Sequence, residues 1–231
     1  MKLSLIIPCY NEAKNIPLLL EKCSEFKQHE SEVILVDNGS SDETQEVLNK
    51  HIQNYSACKS IRLEKNEGYG YGILEGLKEA KGDIIGWTHA DLQTNPVDAL
   101  RAISKFEDLD KNTFIKGKRY GRSFFDTFFT VGMSFFETIL LKKFMWDINA
   151  QPTLFHKDFF KDWSNPPKDF SLDLYAYFHA KHRKYKVHRL PVLFDKRAFG
   201  VSKWNFGMKS RLKFINRTIN YSFKLKKDLT L

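Results

Sequence analysis

Three apolar runs in the first 95 residues each end in residues able to hold a polar ligand. They are Leu3 to Asn11, Glu32 to Gly39 and Asp83 to Asp91, closing on Pro8-Cys9-Tyr10-Asn11-Glu12, Asp37-Asn38-Gly39-Ser40-Ser41-Asp42 and Thr88-His89-Ala90-Asp91-Leu92-Gln93. Asp37 follows Glu32-Val33-Ile34-Leu35-Val36. A carboxylate there can accept hydrogen bonds from a base or ribose, or cap the turn that follows. Asp91 and Gln93, spaced two apart, can present a carboxylate and an amide oxygen to a hard cation, with diphosphate and water completing its shell.

Runs this apolar belong to a parallel sheet buried on both faces, and such open sheets bind ligands beyond the carboxyl ends of their strands. Helix-like segments lie between them: Ala13 to Glu30, Ser41 to Asn54 and Tyr71 to Ala80, with a short strand near Ser60 to Leu63. The alternation predicts an α/β, doubly wound, mostly parallel sheet. Ser41 is placed near a helix start and Gly82 at a helix stop. The turn Asn66-Glu67-Gly68-Tyr69-Gly70-Tyr71-Gly72 has neither phosphate-loop nor dinucleotide spacing, so it reads equally as flexible backbone or as ligand contact.

The 231 residues suit one large domain. Cys9, Cys23 and Cys58 are odd in number and scattered, which suits reduced thiols, and Cys9 reads as a small packed residue. A strand at the very start, without charged and apolar leader regions before it, predicts a protein that is not exported. Of the net charge of +9, the stretch from Lys196 to Lys227 supplies ten Lys or Arg and no Asp or Glu. Met208, Leu212, Ile215, Ile219 and Phe223 form a helical stripe there, with Lys209, Arg211, Lys213, Arg217 and Lys224 mostly off it, the pattern of a basic amphipathic helix on an anionic membrane. No helix-turn-helix, zinc or ribonucleoprotein signature accompanies the charge, so nucleic acid is not an expected partner.

Between Ser123 and Trp146, Phe124, Phe125, Phe128, Phe129, Phe135, Phe136, Ile139, Leu140 and Phe144 recur at helical spacing, interrupted by Asp126 and Glu137. The segment reads as a core helix, a dimer helix or an interfacial helix. No sufficiently long apolar run follows Phe144, so membrane contact is expected to be peripheral.

Taken in order, Pro8-x-Tyr10-Asn11-Glu12, Asp37-Asn38-Gly39-Ser40-x-Asp42-x-Thr44, Asn66-x-Gly68, Ala90-Asp91-Leu92-Gln93, Lys116-Gly117-Lys118-Arg119, Asp147-Ile148-Asn149-Ala150-Gln151-Pro152 and Arg197-x-x-Gly200-x-Ser202-Lys203 resemble family 2 glycosyltransferases of the GT-A fold. The branch resembled includes dolichol-phosphate mannose synthase and other polyprenyl-phosphate sugar synthases, over about residues 3 to 204. The resemblance implies a domain over 1–204 and a basic tail over 205–231. It places Pro8, Tyr10, Glu12, Asp37 and Gly68 at the nucleotide, Asp91 and Gln93 at Mg2+ or Mn2+, and Arg119, Arg197 and Lys203 at acceptor phosphate or donor diphosphate. His89 stands where the family usually has a second metal-site aspartate, so it joins the metal set while leaving the choice of metal open. Asn38 replaces another usual Asp, and Thr94-Asn95-Pro96 lies outside the metal pair.

The implied reaction moves a hexose from a UDP- or GDP-sugar to a polyprenyl phosphate, with inversion, on the cytoplasmic face of a membrane. Asp91 and Arg119 are its catalytic candidates. A second reading is transfer to a saccharide hydroxyl, with Asp173 near the position where related enzymes carry a base. A third is a sugar nucleotide binding protein without turnover. A homo-oligomer is an open possibility for the phenylalanine face.

Overall fold

The computed structural model of the chain describes residues 2–107, 111–200 and 208–228. The first half alternates β1 (Leu3–Cys9), α1 (Ile16–Cys23), β2 (Glu32–Asn38), α2 (Thr44–His51), β3 (Cys58–Leu63), α3 (Tyr69–Lys78) and β4 (Ile84–Trp87). The second half holds α4 (Asp98–Glu107), β5 (Thr113–Tyr120), α5 (Phe124–Leu141), β6 (Thr153–His156), α6 (Lys157–Lys161), α7 (Ser171–His182), β7 (Lys186–Leu193) and α8 (Met208–Asp228). The strands form one sheet in the order β3-β2-β1-β4-β6-β5-β7. This is the expected α/β sheet, parallel except for β6, which runs against both β4 and β5.

Along β1, Leu3, Leu5, Ile7 and Cys9 enter one core with Leu19 and Leu20 of α1, while Ile6 enters the other with Ile73 and Leu77 of α3. Both faces are covered, which is why the strands read as continuous apolar runs. Cys9 is fully buried in the first core, as the packing reading required. The antiparallel course of β6 has a direct consequence for the site. Thr153, its first residue, lies opposite both Trp87 of β4 and Lys116 of β5, so the 147–152 turn sits at the edge where β1, β2 and β4 end.

Local boundaries differ from the sequence reading. The segment from Ala13 resolves into α1 and a 3-10 turn over Ser24–His29. The helix expected from Ser41 starts at Thr44, because Asp42 Oδ1 accepts the Thr44 N–H at 3.1 Å. Gly82 is not the helix stop: α3 ends at Lys78, and Gly82 donates its N–H to Ser4 Oγ at 2.8 Å on β1.

Of the three readings of α5, the core helix is the one the structure removes. Its phenylalanines are not core: Phe124 is 79% exposed, Phe128 65%, Phe135 68% and Ile139 63%. The polar residues face inward instead. Ser134 Oγ accepts the Asp147 N–H at 3.1 Å, and Glu137 Oε1 accepts the Ser222 hydroxyl of α8 at 2.6 Å. With 18 residues and mean hydropathy 1.4, α5 is long and apolar enough to cross a membrane by length and composition, but its inner side is bonded to the domain.

Helix α8 packs on α5 and α7. Among its described side chains, over residues 215–227, Ser222 and Leu225 are buried, while Phe223 of the expected stripe is half exposed; Met208 and Leu212 of that stripe lie outside the described side chains. Arg217 pairs with Asp169 at 3.3 Å and lies 5.4 Å from the Phe170 ring centroid, tying the helix to the loop before α7. The 204/205 boundary and Lys203 fall outside the described residues.

Glu137 is fully buried, its Oε2 has no hydrogen-bond partner, and burial lifts its pKa to about 7 against the smaller opposing effect of Ser222. A carboxyl with a raised folded-state pKa favours folding while protonated, and that contribution fades as pH rises from its unfolded value through about 7. Glu137→Gln should therefore match wild type near pH 5 and exceed it by roughly 2–3 kcal/mol near pH 8.5 in urea unfolding.

Candidate active site

The loops after β1 and β2 are laced into one rim. Asn11, with φ of 57°, donates its N–H to Ser40 Oγ at 3.0 Å and accepts the Ser41 N–H at 2.9 Å. Glu12 N–H donates to Thr44 Oγ1 at 2.8 Å. Asp37, fully buried at the end of β2, accepts the Ser40 N–H at 2.9 Å and pairs with Arg62 at 3.0 Å. It thus caps the turn, and the half-exposed Arg62 guanidinium covers it. The parallel register setting Asp37 opposite Arg62 of β3 creates this pair. Pro8 and Tyr10 are partly exposed beside this rim, at the end of β1. Burial raises the pKa of Glu12, against the lowering effect of the Asn15 hydrogen bond.

Across the β1/β4 crevice lie Asp91 and Gln93. Asp91 Oδ2 is 2.7 Å from the Arg197 NH2, and Arg197 Nε donates to Gln93 Oε1 at 3.3 Å. The two oxygens expected to hold a cation hold one: a guanidinium. Among the described residues no three His, Cys, Asp or Glu side chains cluster to bind a metal. A divalent ion would take Asp91 and Gln93 from the chain and its remaining oxygens from diphosphate and water, and the guanidinium standing between those oxygens fits that donor set.

His89 lies between the Asp91 side of the site and an aromatic pair. Its ring lies 5.4 Å from that of Tyr69, which stacks on Phe170 at 4.4 Å. Burial depresses its pKa; Asp91 and Asp173 act in the opposite direction, and Arg119 and Arg197 reinforce the depression. The imidazole is therefore neutral at neutral pH, and four expected site residues act on it.

Arg119, at the end of β5, is clamped by Asp147. Its backbone N–H donates to Asp147 Oδ2 at 3.0 Å and its Nε to Oδ1 at 2.9 Å, and a second guanidinium nitrogen reaches the same oxygen. Arg189 Nη lies 4.0 Å from Asp147, and Arg119 and Arg122 lie 5.2 and 5.3 Å from the Phe194 ring centroid. Two guanidiniums thus flank one carboxylate, and a third, Arg122, shares the Phe194 ring with Arg119. Burial alone would raise the pKa of Asp147, but Arg119 overrides it and the net shift is downward. Arg122 Nε is buried without a hydrogen-bond partner.

Beneath these groups is a closed polar knot. Lys116 Nζ donates to Thr153 Oγ1 at 2.8 Å and to Asp173 Oδ1 at 3.1 Å, and Gln151 Nε2 donates to the same Oδ1 at 2.7 Å. Burial lowers the Lys116 pKa to about 8, against the pull of Asp173. Asp173 Oδ2 is buried and unpartnered. Gly117 is required here, since a Cβ on it would lie 2.1 Å from Gln151 O.

The structure accounts for Gly68 by packing. Its φ is 127°, and a Cβ would meet Lys168 O at 2.3 Å, so the glycine turn admits the 167–169 backbone. Arg62, Arg122 and Arg189 were not singled out by sequence reasoning. Arg122 alone had a signal, its place between the Arg119 motif and the phenylalanine-rich helix.

An open α/β sheet with acidic and guanidinium groups converging at its carboxyl edge has the architecture of a protein that binds a phosphorylated ligand across its switch point. The sequence profile of glycosyl transferase family 2 matches residues 4–162, and the chain belongs to that family. An undecaprenyl-phosphate 4-deoxy-4-formamido-L-arabinose transferase from Photorhabdus laumondii is 39% identical over 111 residues, taking in 46% of this chain and 34% of that protein. The enzyme of the same name from Serratia proteamaculans is 34% identical over 112 residues, with the same shares of both chains. The chain spans about a third of the length of these curated relatives. A mannosyltransferase from Pyrobaculum calidifontis, solved with GDP-Man and Mn2+, has TM-score 0.70 at 16% identity over 96% of this chain and 64% of its own. Glucosyl-3-phosphoglycerate synthase from Mycobacterium tuberculosis, solved with UDP, has TM-score 0.75 at 15% identity over 98% and 80%. The GT-A-type fold expected from the motifs is shared with these glycosyltransferases.

Lys116→Met should destabilise the protein by about 3–5 kcal/mol, because it leaves the Asp173 carboxylate buried beside nothing cationic. Adding Asp173→Asn should restore part of that loss. Urea unfolding of the single and double variants measures both effects.

Proposed function

We propose that the chain transfers a hexose, with inversion, from a nucleoside diphosphate sugar to a polyprenyl phosphate at the cytoplasmic face of a membrane. One observation carries the reading: Arg119 and Arg122, which share the Phe194 ring, lie beside the start of α5 and its exposed phenylalanine face. Arg122 precedes that helix by two residues and its NH1 donates to Thr130 within it at 2.5 Å. Guanidiniums in excess of carboxylate suit a phosphate head group, and the adjoining phenylalanines suit its apolar tail and the lipid around it. The undecaprenyl-phosphate relatives and the nucleotide-bound neighbours support the same classes of acceptor and donor.

In this reading Pro8, Tyr10, Glu12 and the Asp37–Arg62 pair border the nucleoside, and Asp91 and Gln93 hold Mg2+ or Mn2+. The metal supplies charge neutralisation for the departing diphosphate. Arg119 and Arg122 orient the acceptor phosphate, already an anionic nucleophile at neutral pH, so its attack needs no general base. Asp147 fixes Arg119 from two directions. Helix α5 is the membrane-docking element and α8 braces it from the domain side.

Transfer to a saccharide hydroxyl has one observation in its favour, the unpartnered Asp173 Oδ2 at the site. The other Asp173 oxygen is already engaged by the Lys116 ammonium at 3.1 Å and by Gln151 Nε2 at 2.7 Å.

Nucleoside diphosphate release should be stimulated by a short polyprenyl phosphate and not by saccharides; saccharide-only stimulation, lost in Asp173→Asn, would install the second reading. Arg122→Gln should raise the KM for the lipid phosphate about tenfold and leave the donor KM unchanged. Replacing Phe124, Phe128 and Phe135 together by Ser should weaken binding to anionic vesicles at least about tenfold, with nucleotide affinity preserved. Sedimentation with vesicles provides that measurement.

A further inference from the structure

Arg197 is the cation that Asp91 and Gln93 hold in this structure, through contacts of 2.7 and 3.3 Å. The backbone around it is anchored separately. Phe194 N–H donates to Tyr120 O at 2.9 Å, Asp195 N–H donates to Gln93 O at 2.8 Å, and Gln93 Nε2 donates to Asp195 O at 3.2 Å. The Arg197 side chain is about a quarter exposed, so it has room to turn without the backbone leaving.

A bare dication taking the same two oxygens must evict the guanidinium and leave it close to two positive charges. A metal bound to diphosphate arrives with anionic oxygens that receive the displaced guanidinium, as planar Arg forks do for phosphate. We propose that Arg197 is a positioning residue that couples metal binding to donor binding: it opposes free metal and favours the metal–diphosphate complex. This inference rests on the metal reading of Asp91 and Gln93 above.

The test uses the full chain, equilibrium dialysis with Mn2+, and inorganic pyrophosphate as a probe independent of the base. Arg197→Met should bind Mn2+ alone about tenfold more tightly than wild type, and Mn2+ with pyrophosphate about tenfold more weakly. Arg197→Lys, which keeps the charge, should retain most of the wild-type coupling. Opposite signs are the signature, since a damaged fold would weaken both affinities and a simple phosphate contact only the second. Equal or weaker binding of free Mn2+ by Arg197→Met, with Asp91→Asn still abolishing metal binding, overturns the coupling and leaves the metal site standing. If wild type binds no Mn2+ even with pyrophosphate, the metal reading falls and the coupling with it.

Discussion

Burial of both sheet faces is the constraint on which the site depends. With helices packed above and below, the central strands β1, β2 and β4 have no solvent face on which to carry working polar groups. Those groups are displaced to the carboxyl edge, where backbone turns leave room for them. The antiparallel insertion of β6 then delivers the 147–152 turn to that edge, adding Asp147 and Gln151 to what β1, β2 and β4 supply. A wholly parallel sheet would carry the start of β6 to the opposite end.

Within that edge, carboxylates serve chiefly to place guanidiniums. Asp37 holds Arg62, Asp91 holds Arg197, and Asp147 holds Arg119. Each pair leaves the arginine outermost, so the surface offered to a ligand is more cationic than the sequence motifs, read one residue at a time, convey. Neutral His89 among them adds no further positive charge. This arrangement suits ligands carrying several phosphate charges, which exchange one carboxylate partner for another anion without exposing a bare charge.

The acidic strand tips were legible because polar residues end apolar runs abruptly, and the family motifs were legible because their order is unusual even where each is modest. Helix ends were less so: Asp42 captures the Thr44 N–H, a local contact that shifts the start from Ser41. The orientation of α5 was not legible. Periodicity identifies a stripe but cannot say which side meets protein, and here Ser134 and Glu137 face inward because Asp147 and Ser222, distant in sequence, supply their partners. The Asp37–Arg62 pair was hidden for the same reason, since only the β2/β3 register sets the two residues opposite each other.

Residues 194 to 197 touch both halves of the site. Phe194 lies under the guanidiniums of Arg119 and Arg122, Asp195 is hydrogen-bonded to Gln93, and Arg197 sits against Asp91. Four consecutive residues therefore act as a ruler between Arg119 and Arg122 on one side and the side-chain oxygens of Asp91 and Gln93 on the other. An insertion or deletion of a single residue there would put one end out of register whichever end stayed in place, so this segment, though it lies outside helix and strand, has a length as fixed as that of any strand in the sheet.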